Sequence, residues 1–160
     1  MKTITHSEQE TREFAKKFAS RLKGGIVLCL HGELGAGKTT FVKGLAEGLN
    51  IKENITSPTF TLMNAYEIGL QTTDHRLRHE LAVVRSPASA VVQLVHIDTY
   101  RLKDEKELLE IGAEDYIGAS DSITVIEWPE KIANFLKTKK IIEIFLKHAS
   151  GDEREIIIED

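Results

Sequence analysis

The segment Gly32-Glu33-Leu34-Gly35-Ala36-Gly37-Lys38-Thr39 constrains this chain more than any other. It satisfies G-x-x-x-x-G-K-[ST], and each fixed residue has a physical task. Glycines let successive backbone N–H groups turn inward around a phosphate without side-chain obstruction, while the following helix points its positive dipole end at the same anion. Lys38 would bridge terminal phosphates, and the Thr39 hydroxyl would bind Mg2+. The flanks agree. Ile26 to Leu30 is apolar throughout and too short for a helix, as expected of a strand buried on both faces. From Lys38 the apolar residues Phe41, Val42, Leu45 and Leu49 recur at helical spacing until Asn50. Strand, glycine loop and helix together predict a phosphate-binding loop, with Glu33 among its candidate ligand residues.

Such a loop needs acidic partners at neighbouring strand ends, because Mg2+ prefers hard oxygen ligands and an attacking water must be positioned. Two carboxylates qualify: Asp98 after the apolar run VVQLVHI, and Glu127 after ITVI. Either one alone also reads as a solvated strand-end residue. No N/T-K-x-D element for guanine occurs, which makes ATP the expected nucleotide.

The remaining chain reads as one α/β domain over residues 1–160, a usual length for a single core. Ser7 and Glu10 have capping-box spacing, and Phe14, Phe18 and Leu22 share a face, predicting a helix from Ser7 to Leu22. Phe60 to Tyr66 and Val91 to Ile97 are expected strands, Asp104 to Ile111 and Glu130 to Lys137 expected helices, and Ile123 to Ile126 a buried strand. The tail alternates on both sides of a turn at Ala149 to Asp152, which predicts a hairpin closing the sheet. An irregular insertion is expected at about 67–90. Its His75 and His79 make a poor metal pair without a carboxylate or sulfur ligand, and Glu67, Asp74 and Glu80 offset Arg76, Arg78 and Arg85. The single cysteine, Cys29, excludes an intrachain disulfide and reads as a small apolar filler.

GELGAGKTTF, then Ser57-Pro58-Thr59-Phe60, His96-Ile97-Asp98-Thr99-Tyr100-Arg101-Leu102 and Glu127-Trp128-Pro129 strongly resembles the TsaE (YjeE) family of small bacterial ATPases. The likeness runs from the N-terminal helix to the final hairpin and breaks only near residues 67 to 90. It implies a P-loop NTPase fold, three-layered, with a central mostly parallel sheet extended by antiparallel strands. It further implies an ATPase that assists synthesis of the threonylcarbamoyl modification on the adenosine beside the anticodon of tRNA. In that family the ATPase does not transfer the group. It binds the complex of a kinase-like transferase and its pseudo-enzyme partner, of TsaD and TsaB type, and supports repeated turnover.

Residue by residue, the resemblance makes Thr39 and Glu127 the Mg2+ ligands and puts Lys38 and the loop amides, including Leu34, Gly35, Ala36, Gly37 and Thr40, on the phosphates. Asp98 matches the acidic position needed for hydrolysis, as water-orienting group or indirect support of the metal. Ser57, Pro58 and Thr59 resemble a first switch segment in which Thr59 senses the terminal phosphate; the same residues also read as a plain turn before a strand. Tyr100 and Trp128 would cover the pocket or meet the partner, or else pack in the core. Glu8 and Thr11 align with the edge of the adenine pocket. Family members often carry an arginine directly after the final turn glycine, and here Arg154 is a shifted candidate.

A P-loop kinase acting on a small molecule or nucleoside is the alternative activity, and a nucleotide-gated module without hydrolysis is a third reading. Charge and hydropathy narrow the partners. A formal net charge of -4 predicts little direct tRNA binding and no DNA binding. No apolar stretch nears the roughly 18 residues of a membrane span, and the N-terminus turns acidic where a signal peptide would be hydrophobic, so a cytoplasmic protein is expected.

Overall fold

In chain order the elements are β1 (Lys2–Thr5), α1 (Glu8–Ala19), β2 (Ile26–His31), α2 (Lys38–Gly48), β3 (Met63–Glu67), β4 (Gln93–Asp98), α3 (Lys106–Glu110), β5 (Ser122–Glu127), α4 (Ala133–Leu136), β6 (Lys140–His148) and β7 (Arg154–Glu159). They come from a computed structural model that describes residues 1–68, 91 and 93–160. The insertion expected at 67–90, with its histidines and arginines, therefore lies outside the described residues from position 69 onward.

Among the described residues, seven strands form one sheet in the order β1-β7-β6-β2-β5-β4-β3. The central four, β6, β2, β5 and β4, run parallel to one another. Antiparallel β7 and β1 extend one edge, and antiparallel β3 the other. The expected architecture is thus the observed one.

Period-two alternation in β2 explains the layers. Leu28 and Leu30 enter a core shared with Phe18, Phe41 and Leu45 beneath α1 and α2. Val27 and Cys29 enter a second core with Val95, Ile97, Leu108 and Ile132 on the opposite face. Cys29 is fully buried, and burial together with the adjacent Glu143 carboxylate pushes its thiol up to about 12.

Helix α1 lies directly on α2 because two glycines admit it. A Cβ on Gly44 would stand 2.3 Å from the Arg12 carbonyl oxygen, and one on Gly48 would stand 2.4 Å from that of Lys16. Ala15 and Ala19 are the facing residues. Phe14 and Phe18 then both reach Phe41, each at 6.3 Å between ring centroids.

Four sequence expectations are corrected. Helix α1 starts as foreseen, with Ser7 Oγ accepting from Glu10 N–H at 3.1 Å, but ends at Ala19 rather than Leu22, where i→i+3 bonds tighten the chain. The Glu10 carboxylate accepts from His6 N–H at 2.8 Å instead of closing the box on Ser7. The strand expected from Phe60 begins only at Met63, since Leu62 N–H donates to Pro58 O at 2.7 Å and Leu62 adopts φ 63°. That turn leaves Phe60 83% exposed, with the Arg101 guanidinium 4.3 Å above its ring. The helix expected over Glu130 to Lys137 opens as a 3-10 turn, Pro129–Ile132, before the short α4. β1, not foreseen, exists through its pairing with β7.

Candidate nucleotide site

Strand β2 must hand the chain to α2 within a few residues, and the glycines make that passage possible. At Gly32 (φ 146°) a Cβ would lie 2.4 Å from the Leu146 carbonyl oxygen, so the loop passes directly against β6. Gly35 and Gly37 take φ 80° and 100°, which side chains disfavour. Gly37 caps α2 without a side-chain hydrogen bond, leaving the helix's positive end open toward an anion.

The buried Lys38 ammonium donates to the Gly32 and Glu33 carbonyl oxygens at 2.7 and 3.1 Å. It also lies 4.1 Å from the Trp128 ring centroid. Burial holds its pKa below the usual lysine value, opposed by the Glu127, Asp98 and Glu130 carboxylates.

Parity gathers the acidic residues on the α2 side of the sheet. Glu127 follows Ile123 and Val125, and Asp98 follows Leu94, all apolar members of the core under α1 and α2. Thr39 Oγ1 donates to Glu127 Oε1 at 3.4 Å, and His96 Nε2 approaches the same oxygen at 2.9 Å. Asp98 Oδ2 accepts from Thr59 Oγ1 at 2.6 Å and from Ser57 Oγ at 3.3 Å; its Oδ1 accepts from Tyr100 N–H at 2.9 Å.

A cavity of about 410 Å³ is lined by Leu34, Gly35, Gly37, Lys38, Thr39, Thr40, Ser57, Thr59, Asp98, Tyr100, Arg101, Glu127 and Trp128. A second, of about 390 Å³, shares Gly35, Gly37 and Thr40 with it and adds Glu8, Thr11, Asp152 and Arg154. Arg154, three residues beyond the turn glycine, returns to the loop because it opens β7 opposite His148 and Thr5. Residues far apart in sequence thus flank one loop on two sides.

Two expected ligands line a different cavity, and other expected site residues have partners within the protein. Glu33 and Ala36 line a separate cavity with Leu146, Lys147 and His148, and Ala36 N–H donates to Glu33 O at 3.1 Å, closing a turn inside the loop. Pro58 serves through its carbonyl, which closes the 58–62 turn. The Thr11 hydroxyl is engaged with Thr5 Oγ1 at 2.7 Å and Ser7 O at 3.1 Å. Tyr100 and Trp128 pack on each other at 5.1 Å between centroids.

His96, Thr99 and Arg101 belong to the motif from His96 to Leu102 but had no expected role of their own, and Arg101 lines the first cavity. The detectable signal was a histidine at the same parity as Asp98 within an otherwise apolar strand.

Thr39 and Glu127 offer the hard oxygens that Mg2+ takes, and among the described residues no three His, Cys, Asp or Glu side chains form a self-sufficient metal cage. That set fits a cation completed by phosphate oxygens and water. Among the described residues no helix is long and apolar enough to cross a membrane.

Residues 5–156 match the family model described as "Threonylcarbamoyl adenosine biosynthesis protein TsaE". The tRNA threonylcarbamoyladenosine biosynthesis protein TsaE of Bacillus subtilis (strain 168) is 37% identical over 156 residues, covering 98% of this chain and 83% of that protein. Its counterpart in Treponema pallidum (strain Nichols) is 35% identical over 158 residues, 99% of both chains. Among solved structures, Bacillus subtilis YdiB superposes with a TM-score of 0.70 at 33% identity, covering 98% of this chain and 82% of that one.

Proposed function

Because the chain belongs to the TsaE family, we propose that it is a P-loop ATPase which binds and hydrolyses ATP with Mg2+ to support the complex making the threonylcarbamoyl modification of tRNA. The observation that carries the reading is the meeting of Thr39 Oγ1 and Glu127 Oε1 at 3.4 Å in the cavity that also holds Lys38 and Asp98. The open amides of α2 and the Lys38 ammonium receive the phosphates, with Lys38 exchanging its loop carbonyls for phosphate oxygens. Thr39 and Glu127 would hold Mg2+, which when bound would neutralise phosphate charge. Asp98 orients the attacking water, and Ser57 and Thr59, resting on Asp98, link that carboxylate to the switch segment. Glu8, Thr11 and Arg154 form the base side of the site.

The partners we propose are the transferase and its pseudo-enzyme companion of TsaD and TsaB type, in the cytoplasm. With a net charge of -4, tRNA is gripped by those partners and hardly by this chain. Two measurements test this. Hydrolysis without any acceptor should be slow and rise with the purified partners, whereas dependence on a small acceptor would make the protein a kinase. Depletion in the host should remove threonylcarbamoyladenosine from tRNA nucleosides, and its retention would overturn the pathway assignment.

A further inference from the structure

His96 is fully buried on β4, between Val95 and Ile97, on the sheet face that also carries Leu94 and Asp98. Register sets it opposite Val125 on β5, two residues before Glu127. Its Nε2 stands 2.9 Å from Glu127 Oε1. An ionised carboxylate only accepts, so Nε2 carries the proton. The other nitrogen, Nδ1, is buried with no hydrogen-bond partner among the described residues. Packing alone would fill this position with leucine or isoleucine and leave no polar atom unpaired. The imidazole therefore has one contact that distinguishes it from an aliphatic side chain, and that contact is with the oxygen facing Thr39.

The residue just beyond this strand also grips the Glu127 main chain. Thr99 N–H donates to Glu127 O at 3.1 Å, and Thr99 Oγ1 lies 3.1 Å from Glu127 O and 2.6 Å from Trp128 O. Trp128 is thereby held at φ 60°, a conformation side chains rarely adopt. Backbone from Thr99 and side chain from His96 together leave Glu127 little freedom.

We infer that His96 is the positioning residue for Glu127, donating from Nε2 to Oε1 so that the carboxylate is already turned toward Thr39 when Mg2+ arrives with the nucleotide. This deepens the ATPase reading and rests on it. A supporting donor of this kind sets metal affinity without touching the metal, and losing one typically costs about ten- to a hundredfold in that affinity.

Trp128 is the protein's single tryptophan and lines the cavity, so its fluorescence reports nucleotide binding directly. The full chain is titrated with ATP in EDTA and then with Mg2+. His96→Leu should bind ATP in EDTA as the wild type does, yet need about ten- to a hundredfold more Mg2+ for half-maximal tightening, with hydrolysis recovering at saturating Mg2+. His96→Gln, whose amide nitrogen reaches the Nε2 position, should restore the Mg2+ midpoint to within about threefold, while the shorter His96→Asn should not. An unchanged Mg2+ midpoint in a folded His96→Leu overturns the inference. Should that variant not fold, equal behaviour of the Gln and Asn variants overturns it as well. A wild type that binds no ATP overturns the ATPase reading itself, an outcome visible before any variant is made.

Discussion

Asp98 and Glu127 are register partners at the ends of adjacent parallel strands, yet each carboxylate is committed to a different side of the cavity. Glu127 faces Thr39 and His96, whereas Asp98 faces Ser57, Thr59 and the Tyr100 amide. Their contributions should therefore separate. Glu127→Ala is expected to spare ATP binding in EDTA while abolishing its tightening by Mg2+ and lowering the hydrolysis rate by about a hundredfold, the scale of losing one fixed electrostatic contact. Mg2+-dependent tightening that survives the substitution would remove Glu127 from the metal.

Asp98→Asn isolates charge from geometry. Its amide oxygen can still accept from Tyr100 N–H, and its NH2 can donate to the Ser57 or Thr59 hydroxyl, which rotates to accept. Thermal stability should fall by only about 1 kcal/mol, as for one altered hydrogen bond, while single-turnover hydrolysis drops by about two orders of magnitude. Asp98→Ala, which frees the switch segment as well, should cost additional stability. A full hydrolysis rate in Asp98→Asn would exclude this carboxylate from orienting water.

Lys38 gives the site a pH dependence whose sign is fixed by burial. Its folded pKa is lowered, so as pH rises the folded protein loses this proton before the unfolded chain does. The penalty for burying the ammonium is present at neutral pH and is relieved as pH climbs through the folded pKa toward the unfolded value, favouring the ligand-free fold on the alkaline side. ATP binding runs the other way, because phosphate oxygens need the charged form. Affinity for ATP, followed by Trp128 fluorescence from about pH 7 to about pH 10, should decline on the alkaline limb, and Lys38→Met should be weak and flat over that range. An alkaline decline persisting in Lys38→Met would assign the titration to another group.

How far the chain could be read before folding depended on whether the signal was local. The glycine loop declares itself because its strand, turn and helix are contiguous, and the apolar runs of β2 and β5 carry their burial in their composition. β1 was invisible for the opposite reason: KTIT has no pattern of its own, Ile4 remains 48% exposed, and only the hydrogen bonds of β7 make it a strand. The turn at Pro58 to Leu62 depends on a leucine at φ 63°, which no propensity announces. Asp98 was legible as a strand-end carboxylate, whereas His96 carried no role of its own in the sequence because its partner lies 31 residues away on the neighbouring strand. Arg154 was legible only as a shifted match to the family's arginine, since the hairpin register that carries it back to the loop is not written locally.

The glycines of α2 join stability to the base side of the site. In isolation Gly44→Ala should strengthen a helix by about 1 kcal/mol. Here the new methyl would meet the Arg12 carbonyl oxygen at 2.3 Å and Ala15 Cβ at 2.7 Å, and backbone cannot yield as a flexible side-chain tip can. Overpacking of this kind costs about 1–3 kcal/mol or more, so it outweighs the propensity gain and the melting temperature should fall. Displacement of α1 would carry Glu8 and Thr11, which line the second cavity, away from Gly35 and Thr40. ATP affinity in Gly44→Ala and Gly48→Ala should therefore weaken by more than the affinity for inorganic triphosphate, which needs only the loop and Lys38. Equal weakening for the two ligands would show that α1 contributes nothing to holding the base.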